Sequence, residues 1–181
     1  MIYNRFVTFL LLVIFSIQSQ SAEPLDVVTT IKPIHSILSG LMVGTTPPTL
    51  LIDGQQTPYR YQLSPQQQNK ILQADLVVWV GPELETFMSA PLQQLTSKTT
   101  VLTLLDNEEI KVLPSRWNEN KRDPFFWLDS RNVIILADEL ARALMRIDPD
   151  RRHLYERNRH QLLTRLAKLD RRLEYGYRGL K

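Results

Sequence analysis

Apolar positions along the chain switch between two periods, and that switching predicts the elements. Leu25 to Thr30 is a short β-branched run and reads as a buried strand. From Pro33 to Met42 the period changes. Ile34, Ile37, Leu38 and Leu41 fall on one helical face, with Pro33 in the first turn. Thr49 to Ile52 predicts a second strand. Ser64-Pro65-Gln66-Gln67 predicts a helix start: Ser64 caps, Pro65 fits the first helical position, and Gln67 closes a capping box. That helix should run to about Gln73. Leu76 to Val80 is apolar without alternation, as expected of a strand buried on both faces of a parallel sheet. Leu84 to Thr96 predicts a weaker helix, and Thr100 to Leu104 another strand. Asp106 to Asp123 is polar and irregular and predicts a surface loop. Asp129 is placed to cap a helix reaching about Arg146, and Asp148-Pro149 to start the last one.

The last helix carries Leu162, Leu166, Leu169 and Leu173 as one apolar stripe along about 39 Å of helix. Such a stripe packs along its own domain or against a second body or partner. Gly176 and Gly179 loosen its end. Strand–helix alternation predicts an α/β fold, a mostly parallel sheet flanked by helices, followed by a long C-terminal helix.

The first residues follow different rules. Arg5 precedes an apolar run from Phe6 to Ile17, and the polar segment Gln18 to Ala22 follows. This is the pattern of a cleaved secretory signal, with cutting after Ser21 or Ala22. Twelve apolar residues rise only about 18 Å as a helix, short of the roughly 30 Å hydrocarbon core. The expected division is a signal at 1–21, an α/β lobe at 22–147, and a long basic helix and tail at 148–181. The mature chain is expected to be exported, to a periplasm.

Composition narrows the chemistry. Of 181 residues, 43% are hydrophobic and 23% charged, a globular balance. The absence of cysteine excludes disulfides, thiol nucleophiles and thiolate metal sites. Six glycines form no phosphate-binding string. Residues 22–110 carry four basic and nine acidic side chains, and residues 111–181 carry seventeen and ten. The basic half reads as the solvated face of a helix or as a docking surface for an acidic partner or anionic lipid. Export and the lack of interleaved aromatics argue against nucleic acid.

Five strings in order carry a resemblance: Val28 to Ser36, Thr57 to Pro65, Ala74 to Glu85, Asp123 to Asp129, and Asp148-Pro149. Together, from about Leu25 to Tyr175, they resemble the periplasmic substrate-binding proteins of zinc and manganese ABC transporters, the TroA-like proteins. The resemblance implies two α/β lobes joined by one long helix, with metal held between them, and an ABC permease as partner. This chain resembles the first lobe plus that helix. The resemblance also implies two histidine ligands in this lobe. Their positions hold Tyr59, followed by Arg60, and Phe125.

Those replacements suit a cation poorly. A phenyl ring offers no donor, a neutral tyrosine is a poor one, and Arg60 repels a cation. No metal and no cofactor is therefore expected at these positions. Tyr59, Arg60, Tyr61, Phe125 and Trp127 are expected as a cleft or interface surface, better suited to stacking, an anion or a protein. Of the three histidines, His35 near the cleft edge is the one remaining ligand candidate, with hydrogen bonding or packing as its ordinary role. His153 and His160 lie about 10.5 Å apart along a helix, too far to chelate one ion. Glu83 and Glu85 are expected to favour a helix start.

No Ser/His/Asp arrangement is legible, so no enzyme is expected. Three readings remain. The chain is a degenerate or accessory binding-protein relative without the family's metal site. It is a protein-interaction module that docks on a permease or binding protein, or pairs with itself through the Leu162, Leu166, Leu169 and Leu173 face. Or it is a truncated frame or half of a split gene, which the downstream sequence decides.

Overall fold

The computed structural model describes residues 23–179. The predicted signal lies outside the described residues. Four short strands, β1 (Val27–Thr29), β2 (Thr49–Leu50), β3 (Leu76–Trp79) and β4 (Thr100–Thr103), form one sheet in the order β2-β1-β3-β4. All its pairings are parallel, with Val27 opposite Leu76 and Leu76 opposite Thr100. Parallel neighbours need crossovers, and here these contain α1 (Lys32–Leu41), α2 (Pro65–Gln73) and the one-turn α3 (Ser89–Leu92). Two long helices follow, α4 (Ser130–Ile147) and α5 (Arg152–Tyr177). Helix α1 packs against α4 and α5, and α2 against α3. Among the described residues no helix is long and apolar enough to cross a membrane.

Local rules hold where the sequence pattern is strong. Ser64 accepts from the Gln67 N–H at 3.2 Å, and the Gln67 side chain accepts from the Ser64 N–H at 2.9 Å, closing the capping box. Asp129 accepts from the Arg131 N–H at 2.9 Å and caps α4. Leu76, Val77 and Val78 are fully buried, met by Ile34, Leu38 and Leu41 of α1 and by Leu136, Leu140 and Leu144 of α4 within one apolar core.

Three expectations are corrected. The helix expected over Leu84 to Thr96 is a 3-10 turn at Thr86–Met88 running into α3. Pro91 has no N–H for the Phe87 carbonyl, so a continuous helix cannot form there. The expected loop before Asp123 contains an antiparallel hairpin, β5 (Pro114–Ser115) with β6 (Asn118–Arg122). Its Asn, Glu and Lys residues are depleted in strands, so the segment carries no strand signal. Asp148 does not cap a helix with its side chain. It is buried, and accepts from the Tyr155 hydroxyl at 2.7 Å and the Arg151 guanidinium at 3.0 Å.

Helix α5 is tied down through its first half. Asn158 is buried and donates to the Leu41 and Val43 carbonyls, both at 2.8 Å. Arg159 donates to Asp138 of α4 at 2.6 Å. Leu162, Leu163 and Leu166 then pack on the core. The predicted stripe stops being covered beyond them: Leu169 is 47% and Leu173 37% exposed.

Truncating Asn158 to Ala leaves two inward carbonyls without a donor. We expect a loss of about 2–3 kcal/mol in urea unfolding. Ser64→Ala, which removes an exposed cap, should cost about 1 kcal/mol.

Candidate functional site

The strand order reverses once. The chain steps from β1 out to β2, then crosses back to place β3 on the other side of β1. In open parallel sheets such a reversal leaves a crevice at the carboxyl ends of the two strands, where ligands bind. Here those ends are Thr29-Thr30-Ile31 after β1 and Val80-Gly81 after β3.

The turn after β3 is built around a buried carboxyl. Glu85 Oε2 accepts from the Val80 N–H at 2.7 Å and the Gly81 N–H at 3.2 Å. Gly81 sits at φ +149°, and a Cβ there would come within 3.0 Å of Leu105. Burial pushes the Glu85 carboxyl up to about 7, while the Thr30 hydroxyl beside it and the two amides pull the other way. Among the described residues, the buried Thr29 Oγ1 and Glu83 Oε2 find no hydrogen-bond partner. Glu83 instead uses Oε1, accepting from Arg122 Nε at 2.6 Å. Arg122 also donates to the Leu105 carbonyl at 2.7 Å and to Asp106 at 2.8 Å, tying the hairpin to this edge. Glu85 does stand at the N-cap position of the Thr86–Met88 turn, but its carboxyl makes no cap hydrogen bond there, and Glu83 lies in the turn before it. Sequence offers no sign of either role, because both depend on the turn that Gly81 makes.

The aromatic candidates divide. Thr57 accepts from the Tyr59 N–H and starts the 3-10 turn Pro58–Arg60, which leaves Tyr59 half exposed and Arg60 in solvent. Burial and the nearby Asp123 carboxylate raise the Tyr59 hydroxyl above its usual range. Asp123 also accepts from the Phe125 N–H at 2.9 Å, so Tyr59 and Phe125 stand at the same edge. Phe125 is 41% exposed and meets Trp127 edge-on, with centroids 5.4 Å apart. Asn132 holds this segment from α4: its amide donates to the Lys111 and Phe126 carbonyls at 2.9 and 3.0 Å. Tyr61 is half-buried and tied back to the lobe. Its hydroxyl donates to the Leu51 carbonyl at 3.0 Å and its ring packs on Phe87, so it is a scaffold residue.

An apolar pocket of about 200 Å³ occupies the crevice, with Ile31, Ile52, Leu84, Phe125 and Trp127 in its wall. The donors present do not fit a zinc ion. Among the described residues no three of His, Asp or Glu stand close enough to share a metal. His35 faces away into local contacts, with Nε2 3.1 Å from the Pro48 carbonyl and Nδ1 3.5 Å from Ser39 Oγ. His153 and His160 are exposed on α5.

A parallel sheet with a crevice at its reversal point has the form of a ligand-binding α/β lobe. The family follows from comparison. The model of the periplasmic zinc-uptake complex component A, ZnuA, matches residues 27–181, and the chain belongs to that family. The high-affinity zinc uptake system protein ZnuA of Brucella abortus is 26% identical over 204 residues, which cover 90% of this chain and 61% of that protein. The manganese ABC transporter substrate-binding lipoprotein PsaA of Streptococcus pneumoniae is 27% identical, covering 88% of this chain and 54% of that one. The Zn(II)-bound ZnuA-like domain of Streptococcus pneumoniae AdcA superposes with a TM-score of 0.72 at 26% identity, over 82% of this chain and 54% of that domain. The chain thus spans little more than half the length of the relatives it matches.

The Glu85 carboxyl binds its proton more tightly folded than unfolded. Its contribution is therefore present in full below about pH 4.5 and is lost as pH rises through about 7. Glu85→Gln should flatten the pH dependence of urea stability between pH 5 and 8, by an amount on the order of 1–3 kcal/mol. An unchanged slope would show that Glu85 is not the group responsible.

Proposed function

We propose that this chain is an exported, periplasmic relative of the zinc and manganese binding proteins of ABC uptake, and that it holds no metal of its own at the family's positions. It acts as an accessory component beside a transporter rather than as an enzyme. The observation that carries this reading is the pair Tyr59 and Phe125. By the resemblance they stand where the family has histidines; Phe125 lines the apolar crevice, and Tyr59 stands near Asp123, which accepts from the Phe125 N–H. The relatives supply the transport context: zinc for the Brucella protein and manganese for the pneumococcal one.

A second reading has its own observation. Leu169, Leu173 and Tyr177 are exposed along α5, and Leu128 is 80% exposed beside them. Apolar surface of this kind suits a protein contact, with a permease, a binding protein or a second copy. Sedimentation across a wide concentration range separates these options. A monomer at every concentration overturns self-association, and an oligomer abolished by Leu169→Glu supports it.

The metal reading is tested by zinc titration of the metal-stripped chain without its signal, following heat and thermal midpoint together. We expect no saturable response up to high micromolar zinc. The pair Tyr59→His with Phe125→His should create one, since binding to the folded state alone adds about 2.7 kcal/mol at a hundredfold excess over Kd. A one-to-one response in the unaltered chain, lost in His35→Ala, overturns the reading.

A further inference from the structure

The crevice at the strand reversal has no histidine among its lining residues. Its wall is apolar, and its cavity of about 200 Å³ opens at the carboxyl ends of β1 and β3. A dry apolar cavity of roughly 150 Å³ is enough to take up benzene. The volume here therefore matches one ring and a small substituent, and is too small for a folded peptide element.

The polar residues at the pocket are Lys32 and Gln56, and only Lys32 carries charge. Neither Lys32 nor Arg60 has an ion-pair partner among the described residues. Gly54 makes room for the lysine. It sits at φ +98°, and a Cβ there would meet Lys32 Nζ at 3.0 Å. Lys32 is exposed, and its ammonium stands beside Gly54 at the mouth of the pocket. No carboxylate lines the pocket. The acids that neighbour its lining residues have partners of their own: Glu83 pairs with Arg122, Glu85 accepts from the Val80 and Gly81 N–H groups, Asp53 from the Gln55 N–H and Asp123 from the Phe125 N–H. The N-terminal end of α1 lies at the same rim, and its dipole also favours negative charge there.

We propose that this crevice binds a small organic acid with one aromatic or short apolar body. The carboxylate pairs with Lys32, and the body packs between Leu84 and Ile31 on one side and Phe125 and Trp127 on the other. Charge and volume together select this occupant. An inorganic anion would leave the apolar wall uncovered, and a bare cation would face Lys32. The inference goes beyond the proposed function, because it assigns the crevice a ligand class of its own.

Phenylacetate is the probe, followed through the Trp127 indole N–H in proton–nitrogen spectra and through intrinsic fluorescence. The expected result is saturable binding that weakens at least tenfold in Lys32→Gln. Phenylacetamide, its neutral counterpart, should bind at least tenfold more weakly than phenylacetate and lose nothing in Lys32→Gln. Phe125→Ala should weaken both, and acetate should not bind. No saturable change with phenylacetate up to 10 mM overturns the proposal. So does equal binding of the acid and the amide. If Trp127 responds only to an acidic peptide, or only to concentration-dependent pairing of the chain, the occupant is a protein and the proposal fails. Zinc titration of the same sample is independent: a zinc response counts against the metal-free reading, whereas silence toward phenylacetate counts against this one.

Discussion

Strand β3 has no side turned to water. Leu76, Val77, Val78 and Trp79 are all buried, and parallel strands on both flanks satisfy their backbone. A strand in that position requires apolar cover on two faces and crossover helices to reach its neighbours. Helices α1 and α4 bring their leucines and isoleucines into the core that the strand shares. The strand order reverses at β1, which has β2 on one flank and β3 on the other, and the residues leaving β1 and β3 border the crevice that this reversal opens.

What the family's architecture keeps and what it replaces can be separated physically. The sheet, the buried turn carboxyl of Glu85 and the tether from Arg122 all support the edge of the crevice, and none depends on a metal. By the resemblance, Tyr59 and Phe125 stand where the family has imidazoles, with Arg60 next to Tyr59, whereas Lys32 belongs to the Val28 to Ser36 string that carries the resemblance. The turn that carries Phe125 is held by Asp123 and Asn132, while Ile31, Ile52 and Leu84 of the crevice wall belong to the core.

Helix α5 shows two regimes on one element. Through Leu166 it is tied to the lobe by Asn158, Arg159 and the leucines; beyond that, its apolar side chains face outward. The predicted stripe is continuous because periodicity counts residues on a face, and the face is continuous. Where cover ends is set by how far α1 and α4 extend beneath it.

Strong periodic signals and local caps are legible in the order of residues alone. The buried strand at Leu76, the faces of α1 and α4, and the caps at Ser64 and Asp129 depend on neighbours a few residues apart, so sequence by itself determined them. The crossover through Leu84 to Thr96, the hairpin at Pro114 to Arg122, the burial of Asp148 and the inward turn of Tyr61 are not legible there. Each is decided by partners far along the chain or by a backbone group that is missing, such as the Pro91 N–H. The site divides in the same way. Residue types alone reveal that imidazole ligands are lacking at the positions the resemblance marks. Only the tertiary structure brought Lys32, Gly54, Leu84 and Phe125 around one cavity, because they come from four separate segments and share no sequence period.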